Sequence, residues 1–273
     1  MTHRKQRKSV MENRSARRMI TLGIMVAMGT GAIALIARGP VPEEVSTKGR
    51  VAYVAGMAKR RGLQSEDWEN AYQNTAVIDG DKVRTFRQSR AELELTELDL
   101  VRMAPQTTID IVRLYEEKKA QRRTVAIAVQ EGDIWASVEG EVGEVDFKIK
   151  TPKVAAAITG TTVRVGVASD STTELRVYKG QVSVTNAPER TDLKPQFILP
   201  PQEVPAPYEV PGPHEVSLEE WFYIVKSMQK IKIDRAGRVI EAGGFSTTDP
   251  EEQSEWVRWN LRRDRQRGVQ PQR

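Results

Sequence analysis

The segment ELRVYKGQVSVT at residues 174–185 decides the fold class, because apolar and polar side chains alternate along it on both sides of one glycine. Alternation with period two is typical of a β-strand that buries one face. The glycine, Gly180, can take a positive φ without steric cost, as a two-residue turn requires. We therefore predict two antiparallel strands, 174–178 and 181–185, joined by a hairpin turn at Lys179-Gly180.

The same pattern recurs upstream, where VQEGDI at 129–134 has Gly132 in the corresponding position and predicts a second hairpin. Gly160-Thr161 predicts a tight turn, since no GK[ST] sequence follows that would make it a phosphate-binding loop. An all-β fold is therefore predicted, with an antiparallel β-sandwich or roll-like domain over residues 49–186. Its other period-two stretches lie at 91–95, 107–111, 124–129, 145–149 and 162–167.

The chain after this domain changes in composition. Prolines are dense over 187–216, which predicts a Pro-rich linker, because proline cannot donate a hydrogen bond inside a sheet. Residues 217–273 are predicted to form a small C-terminal β segment followed by a basic helix. Aromatic and β-branched runs at 219–225 and 230–234 favour strands, while the Ser-x-x-Glu sequence at 217–220 keeps a helix as the alternative.

The last predicted element is an amphipathic helix near 250–267. Asp249 is placed as its N-cap and Pro250 as its first residue, and Gly268 follows its end. Aromatic residues lie on one side and arginines on the other, so an acidic partner or anionic lipid head groups would suit the basic face. Packing of the aromatic side onto the sheet and simple solvation of the basic face are the alternatives. The candidate partner-binding residues are Trp256, Trp259, Arg258, Arg262 and Arg265.

Near the N-terminus an unbroken run of uncharged, mainly apolar residues extends from Met19 to Ala37. As a helix it would span roughly 28 Å, against about 30 Å for the hydrocarbon core of a bilayer. Residues 1–18 carry a formal charge of +6, so the positive-inside rule places this tail in the cytoplasm. We predict a single-pass anchor in the bacterial inner membrane, with the bulk of the chain in the periplasm. A cleaved signal peptide and a buried soluble helix are the alternatives.

The charge distribution argues against a nucleic-acid partner. The chain has a formal net charge of +5 and a pI of about 9.4. The tail 1–18 contributes +6 and residues 258–273 contribute +5, which leaves −6 for residues 19–257. Two basic ends on a mildly acidic body do not make a basic groove that follows phosphates.

The composition also excludes several classes of enzyme. The chain has no cysteine, and its histidines are His3 and His214, so thiolate chemistry and histidine-based triads or metal sites are not expected. We predict no catalytic, cofactor or metal residues. A glycosidase needs only two carboxylates, but the candidates are interpreted as turn or surface groups: Asp79, Asp81, Asp99, Asp133 and Asp146. Three aromatic residues are interpreted as core anchors, namely Trp68, Trp135 and Trp221.

A set of short motifs follows one order along residues 49–186. The most specific is FKIKTP at 147–152, which leads to Gly160-Thr161. Upstream of it lie GRV at 49–51, GDKVRT at 80–85, VRMAP at 101–105 and GDIW at 132–135. In this order the motifs resemble the FecR-type domain, named for the regulator of bacterial ferric dicitrate uptake.

The resemblance implies an all-β periplasmic domain that receives or transmits protein contacts and has no active site. Family members that regulate sigma factors carry a cytoplasmic anti-sigma domain, whereas here 18 residues precede the apolar run. We therefore expect a non-enzymatic interaction or signalling module that acts on an envelope protein through its exported part. A structural envelope protein that binds polysaccharide or cell wall is the alternative.

Overall fold

The computed structural model describes residues 45–140, 142–189, 193–198 and 220–268. The tail 1–18 and the apolar run 19–37, where the anchor is predicted, lie outside these ranges. Within them, no helix combines the length and the apolar character needed to cross a bilayer.

Strands dominate the described residues, which confirms the all-β prediction. The first nine are β1 (Val45–Ser46), β2 (Lys48–Ala55), β3 (Ala58–Arg61), β4 (Glu69–Asn70), β5 (Ala76–Ile78), β6 (Lys82–Thr85), β7 (Arg90–Glu94), β8 (Asp99–Met103) and β9 (Thr108–Glu117). They are followed by β10 (Arg122–Val138), β11 (Glu144–Lys150), β12 (Ala155–Val167), β13 (Thr173–Thr185), β14 (Gln196–Phe197), β15 (Phe222–Lys226), β16 (Gln229–Ile233) and β17 (Val239–Gly244).

The strands belong to one closed sheet, which we describe as two layers that share the long strands β10, β12 and β13. The first layer contains β3, β4, β6, β9, β11, β14 and β15, and the second layer contains β2, β5, β7, β8, β16 and β17. The first half of β10 lies between β9 and β11, and its second half lies between β8 and β12. In the same way, β13 pairs with β16 along its first half and with β15 along its second half. The long strands therefore pass from one layer to the other. The facing sides of the layers enclose one apolar core, in which Ile134, Phe147, Val177 and Val184 are buried.

Both hairpin predictions were wrong, because each of the two glycines lies inside one continuous long strand. Gly132 lies inside β10 with φ +96°, and Gly180 lies inside β13 with φ +86°. The positive φ that the sequence indicates is present, but it bends one strand where its pairing partner changes and does not reverse the chain. The predicted turn at Gly160-Thr161 was wrong for the same reason, because Gly160 lies within β12 with φ +60°.

Replacing Gly132 by alanine is expected to lower the free energy of unfolding by about 2–4 kcal/mol, because a left-handed backbone and a clash combine there. A Cβ atom at this position would lie 2.4 Å from Thr107 Oγ1 and 2.5 Å from Thr107 Cα. Denaturant unfolding measures the loss. The matched control is Gly243→Ala in β17, where a Cβ atom would meet nothing within 4 Å. Equal stabilities of the two variants would contradict the bend in β10.

Two strand pairs are parallel, which departs from the antiparallel prediction. These pairs are β10 with β11 and β14 with β15. The first follows from the position of β12, which is antiparallel both to β11 and to the second half of β10. Strands that share an antiparallel neighbour run in the same direction, and alternation along each strand does not reveal which neighbour it will have.

The described part of 217–233, for which strands and a helix were both open, forms the strands β15 and β16. Both strands pair with β13, so they extend the shared sheet.

The predicted C-terminal helix is confirmed as α1 (Glu255–Gln266), but it begins later than predicted. Pro250–Gln253 forms a separate 3-10 helix that begins after Asp249. Ser254 is the N-cap of α1, and its hydroxyl accepts a hydrogen bond from the backbone N–H of Val257. The N-cap predicted at Asp249 was therefore wrong for α1, because Asp249 precedes the 3-10 helix and Ser254 caps the α-helix.

Candidate functional site

A straight row of side chains crosses the outer face of the second layer. Strand register places Glu92 opposite Arg102, Arg102 opposite Trp135, Trp135 opposite Arg164, and Arg164 opposite Arg176. Directly opposed residues share one face of a sheet, and like charges in such positions are destabilising unless they are compensated. We call these five residues the cross-strand row.

Helix α1 covers one end of the cross-strand row and supplies a compensating charge. Asp264 Oδ1 lies 2.6 Å from Arg102 Nη1, and Asp264 Oδ2 accepts a hydrogen bond from Trp135 Nε1 at 2.9 Å. Both the Arg102 and Trp135 residues are 0% exposed. Burial raises the pKa of Asp264 above its usual value, although the Arg102 guanidinium opposes this shift. The helix is thus joined to the sheet by a buried ion pair.

Glu92 is the second carboxylate at this end of the row. Burial disfavours its charged form, yet hydrogen bonds from Arg263 and Arg102 hold the pKa of Glu92 below its usual value. Arg102 Nε and Arg263 Nε each lie 2.8 Å from Glu92 Oε2, and Arg267 Nη2 lies 3.1 Å from Glu92 Oε1. Two of these three arginines belong to the last turn of α1 or directly follow it. Glu92 therefore fixes the end of the helix on the sheet.

The other end of the row is compensated by the 3-10 helix. Arg176 forms ion pairs with Glu251 and Glu252 of that helix and with Glu174 of its own strand. Tyr178 donates its hydroxyl hydrogen bond to Glu252 Oε2 at 2.6 Å. Burial, together with the adjacent Glu252 charge, raises the pKa of Tyr178. The 3-10 helix thus supplies two carboxylates to a sheet face that carries adjacent arginines.

Aromatic side chains fill the space between these two ends. Trp135 and Tyr178 lie 4.3 Å apart between ring centroids, and Tyr178 meets Phe245 edge to face at 5.3 Å. Together with Trp256 and Val257 they form a second buried cluster, separate from the main core. The C-terminal segment is therefore held on the sheet by aromatic packing as well as by ion pairs.

The candidate partner-binding residues divide between the two sides of α1. Trp256 is buried and donates from Nε1 to Asp133 Oδ1 at 3.1 Å, and it stacks on Trp259 with centroids 5.4 Å apart. Trp259 is half-buried near the ring of Tyr53. The outer side of α1 exposes the three predicted arginines, Arg258, Arg262 and Arg265. The helix thus brings the arginines together on its outer side and turns the tryptophans towards the sheet.

Other residues singled out in the sequence lie apart from this site. Trp221 is buried and donates from Nε1 to the Gly237 carbonyl at 2.9 Å, so its predicted core role is confirmed, as it is for the buried Trp135. Trp68 is half-buried beside two arginines and is not part of either core cluster, so that prediction was wrong.

Two carboxylates interpreted as turn or surface groups, Asp81 and Asp99, are buried, so they are not surface groups. Asp81 lies 3.0 Å from Arg60 and accepts a hydrogen bond from the Ile78 backbone, and Asp99 lies 3.4 Å from Arg123. Burial raises the pKa of both carboxyl groups. Each carboxylate has an arginine partner, which is the arrangement of a structural ion pair.

The chemistry available at the cross-strand row is that of charge pairing. A cleft of about 150 Å³ beside it is lined by Asp133, Arg164, Gly166, Glu174, Arg176 and Glu251. Arg164 Nε donates to Asp133 Oδ2 at 2.8 Å, so the opposite charges that line the cleft already satisfy one another. Within the described ranges, no group of three or more metal-ligating side chains converges. The site is thus built to hold a helix on a sheet.

A protein-family model described as "FecR protein" matches residues 81–183. The match begins at Asp81, before β6, and ends within β13. It therefore contains all five residues of the cross-strand row. The chain carries a FecR-type domain. This confirms the resemblance that the ordered motifs indicated, and α1 lies beyond the matched residues.

Solved structures and curated proteins were also compared with this chain. Two crystal structures from Parabacteroides distasonis, each described as a candidate anti-sigma factor, match it at 13% identity. One covers 60% of this chain and 59% of its own with a TM-score of 0.38, and the other covers 66% and 64% with a TM-score of 0.41. The chain thus spans about three fifths of each solved chain. No curated protein matches the sequence.

The cross-strand row of the FecR-type domain was not predicted from the sequence. One signal was available: Arg102, Arg164 and Arg176 each lie between apolar residues in a period-two stretch, and so must point away from the core. Their alignment into one row depends on strand register, which alternation alone does not give. No signal in the sequence indicated that Glu251 and Glu252 of the 3-10 helix pair with Arg176, because they lie far along the chain from it.

Proposed function

We propose that this FecR-type chain is a non-enzymatic, membrane-anchored interaction and signalling module. One observation carries the proposal: the inner side of α1 is fixed by buried ion pairs, while its outer side exposes Arg258, Arg262 and Arg265. A helix held in one position presents its charges with little loss of conformational freedom on binding. Such a surface suits an acidic protein partner.

The proposed location is the periplasmic side of the bacterial inner membrane. It is supported by the apolar run 19–37 and by the cationic tail 1–18 before it. It also agrees with the absence of cysteine from the chain, since the fold then has no thiols that an oxidising compartment could alter. The partner in this proposal is an envelope protein.

A structural role through binding of polysaccharide or cell wall is the second candidate function. The observation that favours it is Trp68, which lies half-exposed beside two arginines on the first layer, far along the sequence from α1.

Reversing the outer charges of α1 in the triple variant R258E/R262E/R265E is expected to weaken capture of the partner roughly tenfold at low salt, because charged rim residues act mainly through steering. Folding should be nearly intact, since exposed charges usually change stability by about 0.5 kcal/mol or less each. The measurement is crosslinking in intact cells from a photoreactive residue on the outer side of α1, with the captured protein identified by mass spectrometry.

The matched control reverses three exposed charges elsewhere, in K119E/K153E/R235E, and should leave capture unchanged. A parallel flotation experiment with anionic vesicles separates a lipid surface from a protein partner. If the triple variant folds and captures its partner as well as the parent at low salt, the outer side of α1 is only solvated and the proposal fails.

A further inference from the structure

A second cationic surface lies on the first layer, away from α1. The antiparallel pair β3 and β6 places Lys59 directly opposite Arg84, and Arg61 directly opposite Lys82. These four residues share one face, because each is two positions from the next along its strand. Like charges in directly opposed positions destabilise a sheet. The arrangement therefore has a stability penalty unless something compensates the charges.

Only one of the four cations has an anionic partner among the described residues. Lys82 Nζ lies 2.8 Å from Asp110 Oδ2. Lys59, Arg61 and Arg84 form no ion pair with the described carboxylates, although β4 and the connection before it carry acidic residues that are exposed: Glu66, Asp67 and Glu69. Three uncompensated cations thus remain on one face.

The two arginines of this face are held in place by Trp68. The guanidinium carbons lie 5.3 Å (Arg61) and 4.8 Å (Arg84) from the Trp68 ring centroid, within cation–π range. Arg84 Nε also donates to Thr108 Oγ1 at 3.1 Å. A stacked guanidinium is pre-organised, so it loses less freedom when its remaining N–H groups bind an oxyanion.

Exposed polar and aromatic groups continue the same surface. Asn70 of β4 lies directly opposite Lys59, and its amide donates to the Tyr72 hydroxyl at 3.2 Å. Tyr72 is 66% exposed. We define the Trp68 patch as Lys59, Arg61, Trp68, Asn70, Tyr72 and Arg84.

We propose that the Trp68 patch binds an anionic polysaccharide that lies across β4, β3 and β6. Charge complementarity supplies the main argument, since three cations have no anionic partner within the described part of the chain. The exposed ring of Tyr72 and the amide of Asn70, beside these cations, fit the C–H faces and hydroxyl groups of sugar rings. The patch lies on the open face of a sheet, which suits an extended polymer better than a small ligand that needs enclosure.

The test is a titration of the full-length chain, kept in detergent, with oligogalacturonate, a sugar polymer that carries one carboxylate on each ring. The variant R61Q/R84Q is expected to bind about tenfold more weakly than the parent, since it removes two sites of charge-assisted hydrogen bonding. The control K153Q/R235Q removes the same charge from two exposed sites outside the patch and should change the affinity less than about twofold. Binding to the basic ends of the chain is common to both variants.

Thermal unfolding shows whether the variants fold. The variant Trp68→Leu is a second test of the affinity for oligogalacturonate, because it keeps every charge of the patch. It should weaken binding several-fold, because the arginines lose their pre-organisation. Equal affinities of R61Q/R84Q and the parent would overturn the proposal. So would equal or tighter binding of polyglutamate or of phosphatidylglycerol vesicles that is lost in the same variant, because the occupant would then be an acidic peptide or a lipid surface. The proposal deepens the second candidate function and uses no residue of α1, so it stands or falls separately from the interaction module proposed first.

Discussion

Replacing Arg102 by methionine is expected to lower the free energy of unfolding by about 3–5 kcal/mol, because it leaves the buried Asp264 without its ion-pair partner and removes one of the three arginines that pair with Glu92. The Arg102 side chain is 0% exposed and lies 2.8 Å from Glu92 and 2.6 Å from Asp264. Methionine keeps much of the length of the side chain, so the loss reports the removal of charge and hydrogen bonds more than a cavity. Denaturant unfolding at neutral pH measures it.

The loss should shrink as the pH falls. Burial already raises the pKa of Asp264 above its usual value, and removal of Arg102 removes the charge that opposes this shift. A carboxyl whose folded pKa lies above its unfolded pKa destabilises the fold at higher pH, and this penalty disappears as the pH falls through the folded value. Unfolding measured at neutral pH and near the folded pKa of Asp264 checks the sign.

Two controls separate this explanation from general damage. Arg262→Met removes an exposed arginine from the outer side of α1 and should change stability by no more than about 0.5 kcal/mol. The combined variant Glu92→Leu, Arg102→Met, Asp264→Leu removes the whole buried set and should recover most of the loss, since apolar residues can replace a buried ion pair. A loss below about 1 kcal/mol for Arg102→Met alone would mean that water reaches the carboxylates.

These ion pairs explain how a short helix holds one position on the sheet. Apolar side chains alone would allow α1 to slide or rotate, because packing contacts are not directional. Asp264 and Glu92 each accept hydrogen bonds that exist at one register of the helix only. The outer arginines then point in one direction, as the proposed interaction requires.

Secondary-structure elements could be predicted from the sequence where they depend on one short segment only. The strand at 145–149 was predicted within one residue of β11, because alternation and the following Thr-Pro are both local features. The closing Gly268 was predicted because a positive φ after a helix favours glycine, and its φ is +80°. The start of α1 was predicted too early, at Asp249, because aspartate and serine are both good N-caps and Ser254 is the one that caps the α-helix.

Features that depend on which strands pair, and in which register, could not be predicted from the sequence. Gly132 has the same positive φ in a hairpin turn and in a bent strand, and only the strands beside it decide between them. The cross-strand row needs the register of five strands, and a slip of one residue would move every member to the other face. Trp68 was assigned to the core because large aromatic residues usually fill interiors, but two arginines cover it at the surface.

Replacing Trp135 by alanine is expected to lower the free energy of unfolding by about 3–5 kcal/mol, the range for loss of a buried aromatic side chain. Trp135 is 0% exposed, packs 4.3 Å from Tyr178 and donates to Asp264. It belongs to the cluster under α1 and not to the main core. The damage should therefore fall first on the docking of the helix.

Amide hydrogen exchange distinguishes local from global loss. We expect protection to fall across α1 (Glu255–Gln266) while β11 (Glu144–Lys150), which lies in the main core, keeps its protection. Trp135→Phe keeps a ring against Tyr178 but leaves Asp264 without the indole donor, so a smaller loss of about 1–3 kcal/mol is expected. If α1 and β11 lose protection equally in Trp135→Ala, the helix and the sheet unfold as one unit. A partner could then not displace α1 without unfolding the domain, and signalling would have to proceed through a surface that stays assembled.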